Sequence, residues 1–323
     1  MITSNNQIFS GLFTALVTPT NQDQTVNYKM LSQLLYYGAD TVNGYVILGS
    51  TGDPAARNAK DKETIIMMAT GICHDMGKKV IMGASSEDIE LIKAGYELGA
   101  KYHVDGMLTM PLLGTKQLPD GLKNMFRTLS DYGIPIIIYN NKGRTGQNNI
   151  TKKDMEGLSQ IENVVAIKEA SGDPEQIEDI IKASGEMGIK VLSGDDNMTA
   201  RMMGQFKDQG FGAHGAISVL SNLLPGQIST IADSNNYDFP EFNPRLYDEK
   251  LKPFYKAITA AGNPPSIKFI MEHFGIPVGG CSPCMGKVSD AKAAEIIGLL
   301  NQYRELPSLK EEVQINWQRA CER

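Results

Sequence analysis

Eight short apolar runs alternate with helix-length amphipathic stretches over roughly the first 230 residues of the chain. The runs are FTALVTP, GYVILGS, KVIMGAS, GMLTMP, PIIIYNN, VVAIKEAS, KVLSGDD and GAISVLSN. Between them lie stretches such as MLSQLLYYGADTV and IELIKAGYELGA, which end near a Gly or Asn, as helices tend to. The average repeat is about thirty residues, the size of one strand and one helix.

This repeated pattern predicts a particular architecture. Near-continuously apolar strands are typical of a parallel sheet that is buried on both faces. Eight of them, each followed by a helix, fit the usual size of a (β/α)8 barrel, about 250 residues. An open doubly wound sheet is the alternative, but no GxGxxG follows the first run. The sequence therefore predicts an α/β chain with a (β/α)8 TIM barrel.

The chain after the eighth run has a different pattern. A polar, Pro-containing stretch, DSNNYDFPEFNP, is followed by segments with helical spacing only. These segments are LYDEKLKPFYKAITAAG, SIKFIMEHFG, DAKAAEIIGLLNQYREL and LKEEVQINWQRACER. We therefore expect a (β/α)8 barrel in residues 1–232 and a C-terminal helical region, packed on the barrel, in residues 233–323.

Composition and charge argue against several classes of protein. The net charge of -6 and the absence of a basic stripe argue against a nucleic-acid partner. No apolar run reaches the ~18 residues of a membrane span, and MITSNNQIFSGLFTALVTP lacks the basic and long apolar parts of a signal peptide. Four cysteines in a chain of 323 residues do not form a disulfide framework. We expect a cytoplasmic protein.

Metal and phosphate chemistry have little support in the sequence. Cys281 and Cys284 form a lone CxxC without the second ligand pair of a zinc site or the helical setting of a redox pair, which favours two incidental thiols. The histidines are scattered without ligand spacing, at His74, His103, His214 and His273. Asp195 and Asp196 after the seventh run would repel a phosphate. We expect no metal, no cofactor and no phosphorylated substrate.

Lys168 ends the sixth apolar run without a turn residue before it. Active sites of (β/α)8 barrels lie at the carboxyl ends of the strands. A lysine amine attacks a carbonyl only when it is deprotonated, and desolvation by apolar neighbours favours the neutral amine. Condensation with a keto acid would give an iminium and then an enamine that attacks an aldehyde. The sequence thus suggests Schiff-base lyase chemistry, unless Lys168 reaches water or pairs with Glu169.

Other polar residues at predicted strand ends suit separate steps of that cycle. Tyr139, at the end of the fifth run, can carry protons to and from the carbinolamine and the new alcohol. Ser50 and Thr51 can relay that proton, and their turn can hold a carboxylate with backbone N–H groups. Arg144 offers a fork for a second carboxylate. Each has a plainer interpretation as a buried ring, turn residue or surface cation, so their convergence carries the hypothesis.

Five motifs of the chain also occur together in a known family. GSTGD, IIIYNNKGRTG, VVAIKEASGD, VLSGDD and GAHGAISVLSNLLP have the order and spacing of the dihydrodipicolinate synthase/N-acetylneuraminate lyase family. The resemblance covers about residues 8–300. It implies a (β/α)8 barrel with C-terminal helices, a homotetramer or homodimer, and a Schiff base with pyruvate or another 2-keto acid. It also implies that Lys168 forms the Schiff base and that Tyr139 is the catalytic tyrosine.

The resemblance assigns further positions. Ser50 would take part in the proton relay, Thr51 would bind the keto-acid carboxylate, and Ile217 would line the site through its backbone carbonyl. Arg144 in GRTG is similar to the arginine that holds the carboxylate of aspartate semialdehyde in 4-hydroxy-tetrahydrodipicolinate synthases. The chain resembles that branch most, which implies pyruvate and an aldehyde as substrates.

One departure from that branch keeps other activities open. Leu112 and Leu113, in TMPLLGTKQ, occupy the positions of two tyrosines, one of which crosses the dimer interface of the synthases to complete the proton relay. An aldolase or dehydratase acting on a 2-keto-3-deoxy sugar acid or a related 2-keto acid is therefore an alternative. A non-catalytic barrel that only binds a ligand is a remote alternative, because the lysine and tyrosine are both present.

Overall fold

A computed structural model of the protein describes residues 9–204, 211–238 and 243–323. The first eight residues of the N-terminal stretch and residues 239–242 of the polar stretch lie outside the described residues. Eight parallel strands close into a barrel in which β8 pairs with β1, so the predicted barrel is confirmed. The strands are β1 (Gly11–Ala15), β2 (Gly44–Ile47), β3 (Lys79–Gly83), β4 (Gly106–Thr109), β5 (Ile136–Asn140), β6 (Val164–Glu169), β7 (Lys190–Ser193) and β8 (Gly215–Ser218).

Helices connect the strands and continue beyond the barrel. Those between the strands are α1 (Tyr28–Tyr37), α2 (Ala59–Asp75), α3 (Ile89–Lys101), α4 (Pro119–Ser130), α5 (Lys142–Thr145), α6 (Lys152–Leu158), α7 (Pro174–Glu186) and α8 (Thr199–Gly204). Those after β8 are α9 (Pro225–Ala232), α10 (Pro244–Thr259), α11 (Pro265–His273), α12 (Asp290–Leu300) and α13 (Leu306–Cys321). Side chains of Asn27, Asn58 and Asp88 accept hydrogen bonds from first-turn N–H groups and so fix where α1, α2 and α3 begin.

The strands separate two buried layers of side chains. Alternation along each strand sends one set of residues into the barrel and the next set outward beneath the helices. The interior set is Phe9, Phe13, Ala15, Val46, Ile81, Leu108, Met110, Ile137, Tyr139, Ala166, Ala170, Leu192 and Ile217. Burying each large apolar side chain contributes about 1.5–3 kcal/mol, so this filling makes the barrel a rigid platform for the residues at its upper end.

The C-terminal helical region packs against the first strand–helix unit of the barrel. Trp317 of α13 meets Tyr37 of α1 edge-on, with ring centroids 5.9 Å apart. In the loop before α12, the carbonyl of Gly280 accepts hydrogen bonds from Thr20 Oγ1 at 2.8 Å and from Lys268 Nζ at 2.6 Å. The segments read as helices from the sequence are helical, whereas the domain boundary after residue 232 stays a prediction. No helix in the described ranges has the length and apolarity that crossing a membrane requires.

Candidate active site

Lys168 and Tyr139 face each other inside the upper end of the barrel. They are register partners on β6 and β5, and strand alternation directs both side chains inward. Lys168 Nζ lies 4.1 Å from the centroid of the Tyr139 ring. Only 5% of Lys168 and 7% of Tyr139 is exposed. The small neighbours Ala166 and Ala170 leave space for the long lysine side chain within the barrel.

Lys168 has no ionic partner within hydrogen-bonding distance among the described residues. The ion pair with Glu169 considered from the sequence is wrong, because the Glu169 carboxylate points outward and accepts other donors. Burial also excludes a lysine that extends freely into water. Lysines this deeply buried are rare unless they are paired or used, so the geometry favours a functional amine.

A polar pair lies directly behind Lys168 and Tyr139. Asn140 and Glu169 are the next register partners on β5 and β6, and Asn140 Nδ2 donates to Glu169 Oε2 at 2.8 Å. Glu169 Oε1 accepts from the Ser171 N–H, and Asn140 Oδ1 accepts from the Ile150 N–H, each at 2.8 Å. Burial raises the pKa of Glu169, while these hydrogen bonds oppose the shift. We call Asn140 and Glu169 the brace, since they tie the two strand ends together.

Gly194, just after β7, keeps space open beside the lysine. A Cβ at this position would lie 2.5 Å from the Cβ of Ala170 and 2.9 Å from Cε of Lys168. Real side chains essentially never approach so closely. The glycine is therefore required here mainly by the Cβ of Ala170 and by the Glu169 carbonyl oxygen, which would lie 2.9 Å away, with the Lys168 side chain beside them.

The six residues predicted from the sequence line one cavity of about 530 Å³. They are Ser50, Thr51, Tyr139, Arg144, Lys168 and Ile217. The cavity lies at the carboxyl ends of the strands, where barrel active sites occur. Its volume is within the usual range of small-molecule sites and exceeds what a three-carbon keto acid would fill.

Ser50 and Thr51 begin a single 3-10 turn, Ser50–Gly52, that follows β2. The turn's own hydrogen bonds begin with the N–H of Gly52, which donates to the Gly49 carbonyl at 2.8 Å. The N–H groups of Ser50 and Thr51 are therefore not used by the turn itself. Thr51 Oγ1 accepts a hydrogen bond from Asn263 Nδ2 at 2.9 Å. The Ser50 hydroxyl has no protein partner within the described ranges, and the relay role of both hydroxyls stays a prediction.

Two neighbouring aspartates after β7 have different settings. Asp196 accepts the Ser218 hydroxyl and the N–H groups of Val219 and Leu220, so it fixes the exit of β8. Asp195 faces the cavity, where burial raises the pKa of its carboxyl while the charges of Lys168 and Arg144 oppose that shift. Burial also raises the pKa of Asp196, so the two carboxyls differ in their hydrogen bonds and not in the direction of the shift.

Sequence reasoning missed one wall of the cavity. Residues of α10 line it, together with a residue from the following loop: Asp248, Lys252, Tyr255, Lys256, Ile258, Thr259 and Asn263. The sequence indicated a helix here but assigned it no part in the site. Helical periodicity identifies the apolar face of a helix and not the end of the barrel that it meets, so no signal in this segment pointed to the cavity.

A second cavity of about 800 Å³ adjoins the first and shares Ser50, Tyr139 and Arg144 with it. Leu113 lines this second cavity and packs against the interior cluster that contains Tyr139. Leu112 is held by its backbone, whose N–H donates to Gln117 and whose carbonyl accepts from Asn148. Of the two positions where the family resemblance suggested tyrosines, Leu113 thus places an apolar side chain against the cluster around Tyr139, whereas Leu112 packs against the outer hydrophobic cluster.

Candidate metal ligands are not gathered in this part of the molecule. Within the described ranges, no group of three or more His, Cys, Asp or Glu side chains is arranged to hold a metal ion. Cys281 and Cys284 are free thiols, and burial raises the pKa of Cys281. The CxxC pair thus lies apart from the residues that line the cavity.

The chain is similar to known proteins over most of its length. The Dihydrodipicolinate synthetase family model matches residues 8–303. The 4-hydroxy-tetrahydrodipicolinate synthase of Methanococcoides burtonii is 31% identical over 288 residues, or 87% of this chain and 94% of that protein. The protein of the same name from Protochlamydia amoebophila is 31% identical over 304 residues, or 90% and 96%. The crystal structure of dihydrodipicolinate synthase from Aquifex aeolicus, 28% identical, aligns with a TM-score of 0.82 over 92% of this chain and 98% of that chain.

Proposed function

The chain belongs to the dihydrodipicolinate synthetase family, and we propose that it is a lyase that joins pyruvate to an aldehyde through a Schiff base on Lys168. The observation that carries the proposal is a buried lysine that makes no hydrogen-bonded ion pair with any described residue and that faces a tyrosine ring in a cavity with room for a second substrate. The names of the relatives favour 4-hydroxy-tetrahydrodipicolinate synthase chemistry as the specific reaction.

The proposed cycle begins at the carbonyl of pyruvate. Lys168 Nζ adds to this carbon to give a carbinolamine, and loss of water leaves an iminium. The iminium withdraws electrons, so the methyl group loses a proton and becomes an enamine. The enamine carbon bonds to the aldehyde carbon, whose oxygen takes up a proton. Water then cleaves the iminium and releases a 4-hydroxy-2-keto acid with the free lysine.

The remaining residues of the cavity take the other roles. Tyr139, whose ring borders Lys168, moves the protons of the carbinolamine and of the new alcohol. The pyruvate carboxylate binds at the Ser50–Thr51 turn, whose first N–H groups are not used by the turn. Ile217 borders the same space from β8, and Arg144 offers a bidentate contact to a carboxylate on the aldehyde.

One observation favours a second candidate reaction. Leu113 presents an apolar side chain to the cluster around Tyr139 in place of a phenol. An aldolase or dehydratase of a 2-keto-3-deoxy sugar acid, or of a related 2-keto acid, would use the same Schiff base with a different proton path. Two screens distinguish the synthase reaction from the alternative: one tests which aldehydes react with pyruvate, and the other tests which keto acids the protein cleaves. No product from aspartate semialdehyde would count against the synthase reaction.

The Schiff base itself can be trapped. The protein is incubated with saturating pyruvate and reduced with borohydride, and the modified peptide is mapped by mass spectrometry. Lys268 serves as an internal control, because it is a second buried lysine whose pKa burial lowers, to about 8. It does not line the cavity, and its Nζ donates a hydrogen bond to the Gly280 carbonyl. We expect the adduct on Lys168 and not on Lys268; an unmodified Lys168 peptide would contradict the mechanism.

We also propose that the protein acts in the cytoplasm as a homotetramer or homodimer and needs no cofactor. The proposal rests on the family and on an acidic chain without a basic stripe. Cell fractionation and light scattering at several protein concentrations test the two parts separately. A monomer at micromolar concentration would contradict the proposed assembly.

A further inference from the structure

The outer wall of the cavity is formed by α10, which presents one side to it. The cavity-lining residues Asp248, Lys252, Tyr255 and Thr259 are spaced three or four positions apart, so they share one face of the helix. Lys256 lies next to Tyr255 on the same side. This face therefore brings two lysines to a cavity whose floor carries Lys168.

The carboxylates near these lysines do not use up the positive charge. Asp248 accepts a hydrogen bond from the Tyr255 hydroxyl at 3.0 Å, and burial raises its pKa. Lys252 pairs with Glu249, but both side chains are more than half exposed, and such pairs contribute little. Lys256 is exposed, and the residues described here include no acidic partner for it.

Arg144 adds a cation on the barrel side of the same cavity. It is exposed, and its guanidinium has no hydrogen-bond partner within the described ranges. Three cations thus border the outer part of the cavity. The carboxyls that line the same cavity are Asp195, Asp196 and Asp248, and burial raises the pKa of each. Cationic side chains that line a cavity attract anionic ligand groups when their own partners are absent or exposed to solvent.

We propose that Lys252 and Lys256 of α10 bind an anionic group at the far end of the second substrate and so determine its specificity. This inference rests on the proposed function, since pyruvate must occupy the inner part of the cavity. The second substrate is then an aldehyde with a carboxylate beyond the reacting carbon. A neutral aldehyde of the same length lacks this contact.

The test measures binding rather than turnover. Pyruvate is first fixed on Lys168 by borohydride reduction, and the reduced protein is titrated calorimetrically with succinate and, separately, with inorganic phosphate. The variants are Lys256→Gln and the double change Lys252→Gln/Lys256→Gln. Lys250→Gln is the matched control, because Lys250 lies on the same helix, pairs with Glu305 at 3.7 Å and does not line the cavity.

We expect the double variant to bind the preferred anion at least tenfold more weakly than the wild type, with the single variant between them and Lys250→Gln unchanged. Tighter binding of succinate than of phosphate supports a carboxylate, whereas tighter binding of phosphate would contradict it. Equal binding by the wild type, the double variant and the control overturns the inference. If no adduct forms on Lys168, the proposed function fails, and the same titrations on the untreated protein still decide the role of α10.

Discussion

Asn140 Nδ2 donates to Glu169 Oε2 one residue beyond Tyr139 and Lys168 on the same two strands. The inward-facing pair and the outward-facing pair therefore share one section of backbone. Any movement of the brace moves the lysine and the tyrosine with it, because a strand residue cannot shift without its neighbour. The brace thus helps to fix the backbone from which the Lys168 amine projects.

Glu169→Gln should reduce both stability and catalysis. The amide can accept only one of the two hydrogen bonds that the carboxylate accepts, and the displaced donor stays buried. We expect a loss of about 1–3 kcal/mol in the free energy of unfolding. Urea denaturation measures this, and the rate of borohydride trapping measures the position of Lys168. The control Glu178→Gln, on the exposed face of α7, should cost less than about 1 kcal/mol and leave trapping unchanged.

Tyr139→Phe should separate proton transfer from packing. The ring that borders Lys168 is kept, while the hydroxyl that we assign to proton transfer is lost. We expect kcat to fall about 10²–10⁴-fold with little change in the melting temperature. Steady-state kinetics with pyruvate and the best aldehyde measures this. Tyr102→Phe, whose hydroxyl donates to Glu63 far from the cavity, should keep wild-type kcat; an equal loss in both variants would disprove the assignment.

Gly194→Ala should disturb the lysine directly. The added methyl group would lie 2.5 Å from the Cβ of Ala170 and 2.9 Å from both the Glu169 carbonyl oxygen and Cε of Lys168, so the backbone or the side chains around Lys168 must move. Overpacking of this kind costs about 1–3 kcal/mol, and we expect slower adduct formation with pyruvate. Gly121→Ala is the matched control, because a Cβ there meets no atom within 4 Å. Normal trapping kinetics in Gly194→Ala would show that the lysine tolerates displacement.

The stability of the protein should fall in acid partly through His214. Burial and the nearby charge of Lys190 lower the pKa of His214 to about 4 from an ordinary 6.5. Between these values the unfolded chain binds a proton that the folded chain does not, so stability is full above pH 6.5 and is lost as the pH falls to about 4. The contribution is on the order of 3 kcal/mol.

Urea denaturation between pH 7 and pH 4 measures this loss. His214→Asn keeps an acceptor for the Val191 N–H and removes the titration, so its stability should depend less on pH over this interval. His103→Asn, at an exposed position after α3, should follow the wild-type curve. If the stability of His214→Asn depends on pH as strongly as that of the wild type, groups other than His214 cause the loss of stability in acid.

The barrel and the inward-facing residues of β5 and β6 could be predicted from the sequence because strand alternation is a local property. Lys168 follows an apolar run, and its direction is set once the strand is recognised. The brace was not predicted, since Glu169 looked like a partner for Lys168 until the strand placed the two on opposite faces. The role of α10 depends on how distant segments pack, and helical periodicity carries no information about that.

The loop that bears Gly280 hydrogen-bonds Thr20, the neighbouring Ser282 N–H donates to Asp53, and Asn263 donates to Thr51. Segments more than two hundred positions apart in the chain thus hold the turn that we assign to the pyruvate carboxylate. During synthesis on the ribosome, all eight strands emerge before these contacts can form. A nascent chain that has released only its eight strands therefore lacks the residues that hold this turn, and the complete site requires translation to have passed Ser282.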